Sequence, residues 1–140
     1  MKLFLDTNVI IDFLGRREPF AADIAQVFVL AEKGHVVLYA SAISFSTCYY
    51  ILRRRFGTRD TARLAVNNLE RLVFVAPATQ AIIRRAIDSS FEDFEDGIQN
   101  YCAVNVPVDF IISRNVKDIV SSEISVIEPG DFLNHFYNEK

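Results

Sequence analysis

Short runs of β-forming apolar residues alternate along this chain with longer stretches whose apolar positions recur at helical spacing. Lys2 to Leu5 is an apolar run closed by Asp6-Thr7-Asn8, the pattern of a buried strand followed by a polar turn. Pro19 stands where a helix can begin, and Phe20, Ile24, Val27, Phe28 and Ala31 repeat at helical spacing until Gly34. Val36 to Ala40 reads as the next strand, after which Ser41 or Ser44 caps a helix running to Gly57. Thr58 caps another helix with Ala62, Ala65, Val66 and Leu69 on one face, and Leu72 to Val75 reads as a strand before Pro77. Thr79 opens a helix through about Ala86 or Ile87, and Asp93 opens one through about Ala103. Phe110 to Ile112 is a wholly apolar strand, and Ser125 to Ile127 is a last one ahead of Pro129-Gly130.

Strands that alternate with helices require crossovers of one hand and a mainly parallel sheet covered on both faces. The expected class is α/β. With 140 residues and no repeat or linker, the chain reads as one domain spanning residues 1–140. Half the residues are apolar, yet no stretch approaches the roughly 20 needed to cross a bilayer. Asp6 interrupts the first apolar run too early for a signal peptide, so the expectation is a cytoplasmic protein without membrane contact. Cys48 and Cys102 lie outside any C-x-x-C spacing and read as small buried apolar groups.

The net charge of −3 disfavours broad contact with nucleic acid, because phosphate binding rests on Lys and Arg. Any such contact must be local. Arg53-Arg54-Arg55 is the most basic run, and the plainer account of it is a helix C-terminus whose dipole favours cations.

In a parallel sheet, ligands collect at the carboxyl ends of strands. Asp6 follows the first strand directly, as a ligand or as the N-cap of the next helix, with Asn8 as the rival cap. Glu92-Asp93-Phe94-Glu95-Asp96 packs four acids into five residues before a helix. Asp93 with Asp96 resembles a capping box, but so much like charge in one place also favours a cation. After Phe110 to Ile112 comes Ser113-Arg114-Asn115-Val116-Lys117-Asp118, where Asn115 or Asp118 turns inward or simply makes a turn.

Phe4-Leu5-Asp6-Thr7-Asn8-Val9-Ile10-Ile11-Asp12, Asp93-Phe94-Glu95-Asp96 and Ile112-Ser113-Arg114-Asn115-Val116-Lys117-Asp118 resemble, in order and spacing, successive motifs of the PIN-domain family. The resemblance spans nearly the whole chain. It implies a three-layer α/β/α sandwich and cleavage of RNA phosphodiesters with Mg²⁺ or Mn²⁺. Many members are toxins of the VapC type, so it also implies an antitoxin protein as partner and a homodimer. By position, the resemblance makes Asp6, Asp96 and Asp118 the metal ligands and catalytic acids, with Asn115 as the alternative to Asp118. Asn8 and Ser113 would orient them. Family members commonly supply a Glu from the helix after the second strand. Here Thr47 takes that place, and Glu95 or Asp93 would substitute for it from the other side.

A hard cation at a few carboxylates keeps open positions for water and substrate, so no side-chain nucleophile is needed. Arg53, Arg54 and Arg55, with Tyr49 and Tyr50, would contact single-stranded RNA, although core packing suits the tyrosines better. His35 and His135 lie away from the acidic motifs. A different class of function is a degenerate PIN domain serving as an RNA-binding or protein-interaction module, motivated by Thr47. A phosphatase or receiver domain also places Asp after its first strand. It fits less well, because Asn8 stands where a haloacid-type phosphatase needs Asp and the paired acids of a receiver are missing.

Overall fold

Leu3, Phe4 and Leu5 are all fully buried, which requires a strand covered on both faces. The computed structural model describes residues 1–119 and 122–139, and the side chain of Asp118 lies outside the described residues. Five strands form one sheet in the order β3-β2-β1-β4-β5, with every neighbouring pair parallel. They are β1 (Lys2–Leu5), β2 (Val37–Ser41), β3 (Phe74–Ala76), β4 (Phe110–Ile112) and β5 (Val126–Ile127). Seven α-helices among the described residues cover them: α1 (Thr7–Leu14), α2 (Ala21–Glu32), α3 (Ala42–Phe56), α4 (Arg59–Leu72), α5 (Gln80–Asp88), α6 (Phe94–Val104) and α7 (Pro129–Asn138).

Alternate strand residues enter two cores. Leu3, Leu5, Leu38, Ala40 and Ile112 pack with α1, α2, α4 and α7 through residues such as Ile10, Ile24, Leu69 and Phe132. Phe4, Ile111 and Ala76 pack on the other face with Ile82 of α5 and with Ile98 and Cys102 of α6. Each large apolar side chain buried this way contributes roughly 1.5–3 kcal/mol. The chain is therefore the expected three-layer α/β/α sandwich. None of the described helices is long and apolar enough to cross a membrane.

The structure corrects several boundaries. Thr7 and Asn8 are not a turn, because Asp6 caps α1 and they form its first residues. Helix α2 begins at Ala21 rather than Pro19, and Glu18-Pro19 is a cis peptide. Leu72 ends α4, whose apolar face it extends, and strand pairing begins only at Phe74. Pro129 does not simply end the last strand. It opens α7, since Pro is well suited to a helix's first turn. Ser41, not Ser44, caps α3, and Gly57 closes that helix at φ 76°, a left-handed conformation natural to Gly.

Candidate active site

The strand order sets the geometry. From β1 the chain builds outward to β2 and β3, then returns to β1's other side for β4 and β5. The direction of winding switches between β1 and β4, where the crossovers diverge and a crevice opens at the carboxyl ends. Asp6 follows β1 and Ser113 follows β4, so both stand at this point. The Asp6 N–H donates to the Ile112 carbonyl at 3.0 Å, continuing the ladder to the rim of the sheet.

Asp6 is only 3% exposed. Its Oδ1 accepts from the Thr7 N–H at 2.8 Å, and its Oδ2 accepts from the Ser113 hydroxyl at 2.7 Å. The direction of the second bond is forced. Ser113 Oγ already accepts from the Asn115 N–H at 3.0 Å and from Asn8 Nδ2 at 3.4 Å, which leaves its single proton for Asp6. Asn8 Oδ1 in turn accepts from the Arg114 N–H at 3.4 Å, so its amide is oriented from both ends. Each oxygen of Asp6 thus holds one donor and keeps acceptor capacity.

Asp93 caps α6, accepting from the Asp96 N–H at 3.0 Å, as the capping-box resemblance suggested. Glu95 and Asp96 lie in the first turn of that helix, both half-buried. Burial pushes the Asp6 carboxyl above its ordinary range, the bonds from Ser113 and Thr7 oppose this, and the charges of Glu95 and Asp93 push it up again. Glu95 also acts on α3. The Cys48 thiol is pushed up to about 12, mainly by burial and further by the Glu95 charge. Glu95 and its helix cap Asp93 are therefore near enough for their charges to act on the Asp6 carboxylate.

Next to them lies a polar network that sequence pattern did not reveal, Ser44 having been legible only as a rival helix cap. Gln99 Nε2 donates to Thr7 Oγ1 at 2.8 Å and to Ser44 Oγ at 2.9 Å, and those two hydroxyls lie 2.8 Å apart. All three residues are buried, and the contacts tie α1, α3 and α6 together over the strand ends. Gln99 sits one turn after Glu95, so the network anchors the helix that carries that acid to α1 and α3. The signal was a polar residue on the same helical stripe as Cys102, which the alternation of apolar residues masks.

Asn115 is exposed and gives only its backbone to Ser113, while the Asp118 side chain lies outside the described residues. Thr47 is half-buried on α3, one turn beyond Ser44. Arg53, Arg54 and Arg55 occupy the last turn of α3, where Arg53 Nη1 donates to the Gly57 carbonyl at 2.6 Å. Counted from Ser44, they stand roughly 15 Å along the helix from the network. His35 packs near Phe136 and His135 near Phe110, away from the acids.

A family model, the PIN domain, matches residues 2–117. The chain belongs to the PIN-domain family. This PIN domain also resembles solved structures that share little of its sequence. The VapBC2 complex of Rickettsia felis bound to a DNA fragment from its promoter matches at TM-score 0.69 and 10% identity, over 91% of this chain and 98% of that one. VapC20 of Mycobacterium tuberculosis, a sarcin-ricin loop cleaving toxin, matches at 0.67 and 15%, over 85% and 94%. A toxin–antitoxin complex from Klebsiella pneumoniae matches at 0.66 and 19%, over 91% and 97%. Comparison with curated proteins finds no match.

The donors at this PIN domain's crevice are hard carboxylate oxygens, which suit Mg²⁺ or Mn²⁺. Among the described residues no three Asp, Glu, His or Cys side chains are grouped closely enough to hold a metal ion by themselves. What is present is one buried, oriented carboxylate on which the charges of Glu95 and Asp93 act, a donor set of the kind a hard cation takes.

Proposed function

We propose that this PIN domain is a metal-dependent endoribonuclease acting in the cytoplasm, the toxin of a toxin–antitoxin pair. The observation that carries this reading is the buried Asp6 carboxylate at the switch of a parallel sheet, held by Ser113 and within the field of Glu95 and Asp93. An oriented anion crowded by like charge gains most from a divalent cation. Asp6, Glu95 and Asp96 would hold the ion, with Asp118 as a further ligand. When bound, it supplies a polarised phosphate oxygen and an activated water. The chain's own part is orientation. Ser113 and Thr7 fix the two oxygens of Asp6, Asn8 fixes Ser113, and Gln99 anchors α6 to α1 and α3.

The similarity to toxin–antitoxin complexes supports an antitoxin protein as partner, and the assembly in this reading also holds a second copy of the chain. Single-stranded RNA would cross the crevice toward Arg53, Arg54 and Arg55. The test is cleavage of RNA by the purified protein in Mg²⁺ or Mn²⁺, abolished by Asp6→Asn and by Asp96→Asn with the fold retained. Cleavage that persists in chelator would overturn the reading.

Thr47, where the family resemblance expects Glu, favours a second reading as a binding module. Divalent-metal titration by calorimetry separates the two, because a module would bind none at millimolar concentration.

A further inference from the structure

Asp12 belongs to none of the acid groups at the crevice, yet it is only 1% exposed in the second turn of α1. Two cations meet it there. Arg114 Nε and Nη2 reach its two oxygens at 2.5 and 3.2 Å, and Arg17 Nε lies 3.2 Å from Oδ1. The Arg114 guanidinium also lies 4.0 Å from the centre of the Phe20 ring, which restrains it on a second side. A carboxylate buried beside Val9, Ile10 and Ile11 must be paired, but a buried ion pair adds little net stability over apolar residues of similar volume. What a two-pronged guanidinium–carboxylate contact does supply is direction.

Direction matters here because Arg114 directly follows Ser113. The Arg114 N–H is held by Asn8, and Asn8 and Asn115 together aim the Ser113 proton at Asp6. The loop after β4 is therefore fastened to α1 at two heights: by Asn8 in the first turn, and by Asp12 four residues on.

We propose that the Asp12–Arg114 pair is a positioning clamp, which holds the loop after β4 so that the Ser113 hydroxyl stays on the Asp6 carboxylate, with Arg17 as a second hold on Asp12. The clamp acts through Ser113 and does not touch RNA. It rests on the ribonuclease reading for its catalytic consequence, though not for its effect on metal binding.

The test compares Asp12→Asn, Arg114→Met, Arg114→Lys, Ser113→Ala and the double variant Asp12→Asn/Ser113→Ala. RNA cleavage in Mn²⁺ and Mn²⁺ affinity by calorimetry are both measured. Asp12→Asn and Arg114→Met should each lower kcat and Mn²⁺ affinity by about 10–100-fold, the usual effect of losing an outer support of a metal site. KM for RNA should not change. Arg114→Lys, which keeps the charge but loses the fork, should recover part of the loss. The double variant should be no worse than Ser113→Ala alone. If the two losses instead multiply, or if KM rises in the Arg114 variants, the clamp is wrong.

Should Asp12→Asn fail to fold, the apolar pair Asp12→Leu/Arg114→Met removes both charges at similar volume. It should melt as a folded protein and show the same loss of Mn²⁺ affinity, and full affinity in it overturns the proposal. A wild-type protein that binds Mn²⁺ without cleaving RNA would overturn the ribonuclease reading and leave the clamp to be judged on affinity. One that binds no Mn²⁺ overturns both.

Discussion

Ser113 donates its only hydroxyl proton to Asp6 Oδ2 across 2.7 Å, joining the carboxyl ends of β4 and β1. The two residues are 107 positions apart, and the sheet's switch in winding makes them neighbours. Because the other acceptor positions on Ser113 are filled by Asn8 and Asn115, the donor cannot turn away. A buried carboxylate is thus presented in one orientation before any ligand arrives, and the electrostatic cost of that arrangement leads to a first prediction.

Asp6 holds its proton more tightly in the folded protein than in the unfolded chain, chiefly through burial. The folded state is favoured by this group while it is protonated, and loses that advantage as pH rises from the ordinary value of 3.8 through the raised folded value. Asp6→Asn removes this loss and keeps an acceptor for the Thr7 N–H. Without metal, its melting temperature minus that of wild type should grow over that pH range and level off above it. Mn²⁺ at pH 7 should then raise the melting temperature of wild type and leave the variant unmoved. A difference that shrinks as pH rises would contradict the argument.

Gln99 presents a second test, because its Nε2 serves two hydroxyls while its Oε1 has no partner among the described residues. Gln99→Met gives up two hydrogen bonds of about 1 kcal/mol each and relieves a buried carbonyl worth about 1–3 kcal/mol, so stability should change by less than about 1 kcal/mol. Gln99→Glu instead places another carboxylate under Glu95, and should destabilise by roughly 3 kcal/mol or more at neutral pH, less in acid. Chemical denaturation at pH 5 and pH 8 reads both. A harmless Gln99→Glu would mean that the network is open to solvent.

Most of the architecture was legible because strand and helix periods differ so clearly here. Leu3, Phe4 and Leu5 could only be a strand covered on both faces, and Asp6 after them had to stand at the rim. Asp93 as a helix cap was readable for the same local reason. Leu72 was not, since an apolar residue at a helix end looks the same as the start of a strand. Gln99, Ser44 and Asp12 were hidden more deeply. Their partners sit on other elements, and only the three-dimensional crossing of α1, α3, α6 and the loop after β4 shows why a polar group belongs among apolar neighbours.

The two cysteines provide a chemical check. Cys48 is fully buried with its thiol pushed up to about 12, and Cys102 is 1% exposed with its thiol also pushed up by burial. Since the thiolate is the reactive form, neither should react with a disulfide reagent at pH 8 within minutes, and both should react once the chain is unfolded. The absorbance of the released thiol counts them. Rapid reaction of one thiol in the folded protein would show that α3 or α6 opens far more readily than its packing implies.

Thr47 offers the most direct probe of how many acids the crevice needs. It lies one turn beyond Ser44 on the helix whose Cys48 feels the Glu95 charge, so a carboxylate at this position would enter the same field. Thr47→Glu should lower the stability of the metal-free protein at neutral pH, because it adds repulsion without a counter-charge. The same change should raise Mn²⁺ affinity by about tenfold, as an added charged oxygen ligand strengthens a hard-cation site. Melting curves with and without Mn²⁺, together with calorimetry, measure the two effects on one sample. Lower stability with unchanged Mn²⁺ affinity would place the Thr47 side chain beyond reach of the ion and leave the acids of α6 as the sole counterpart of Asp6.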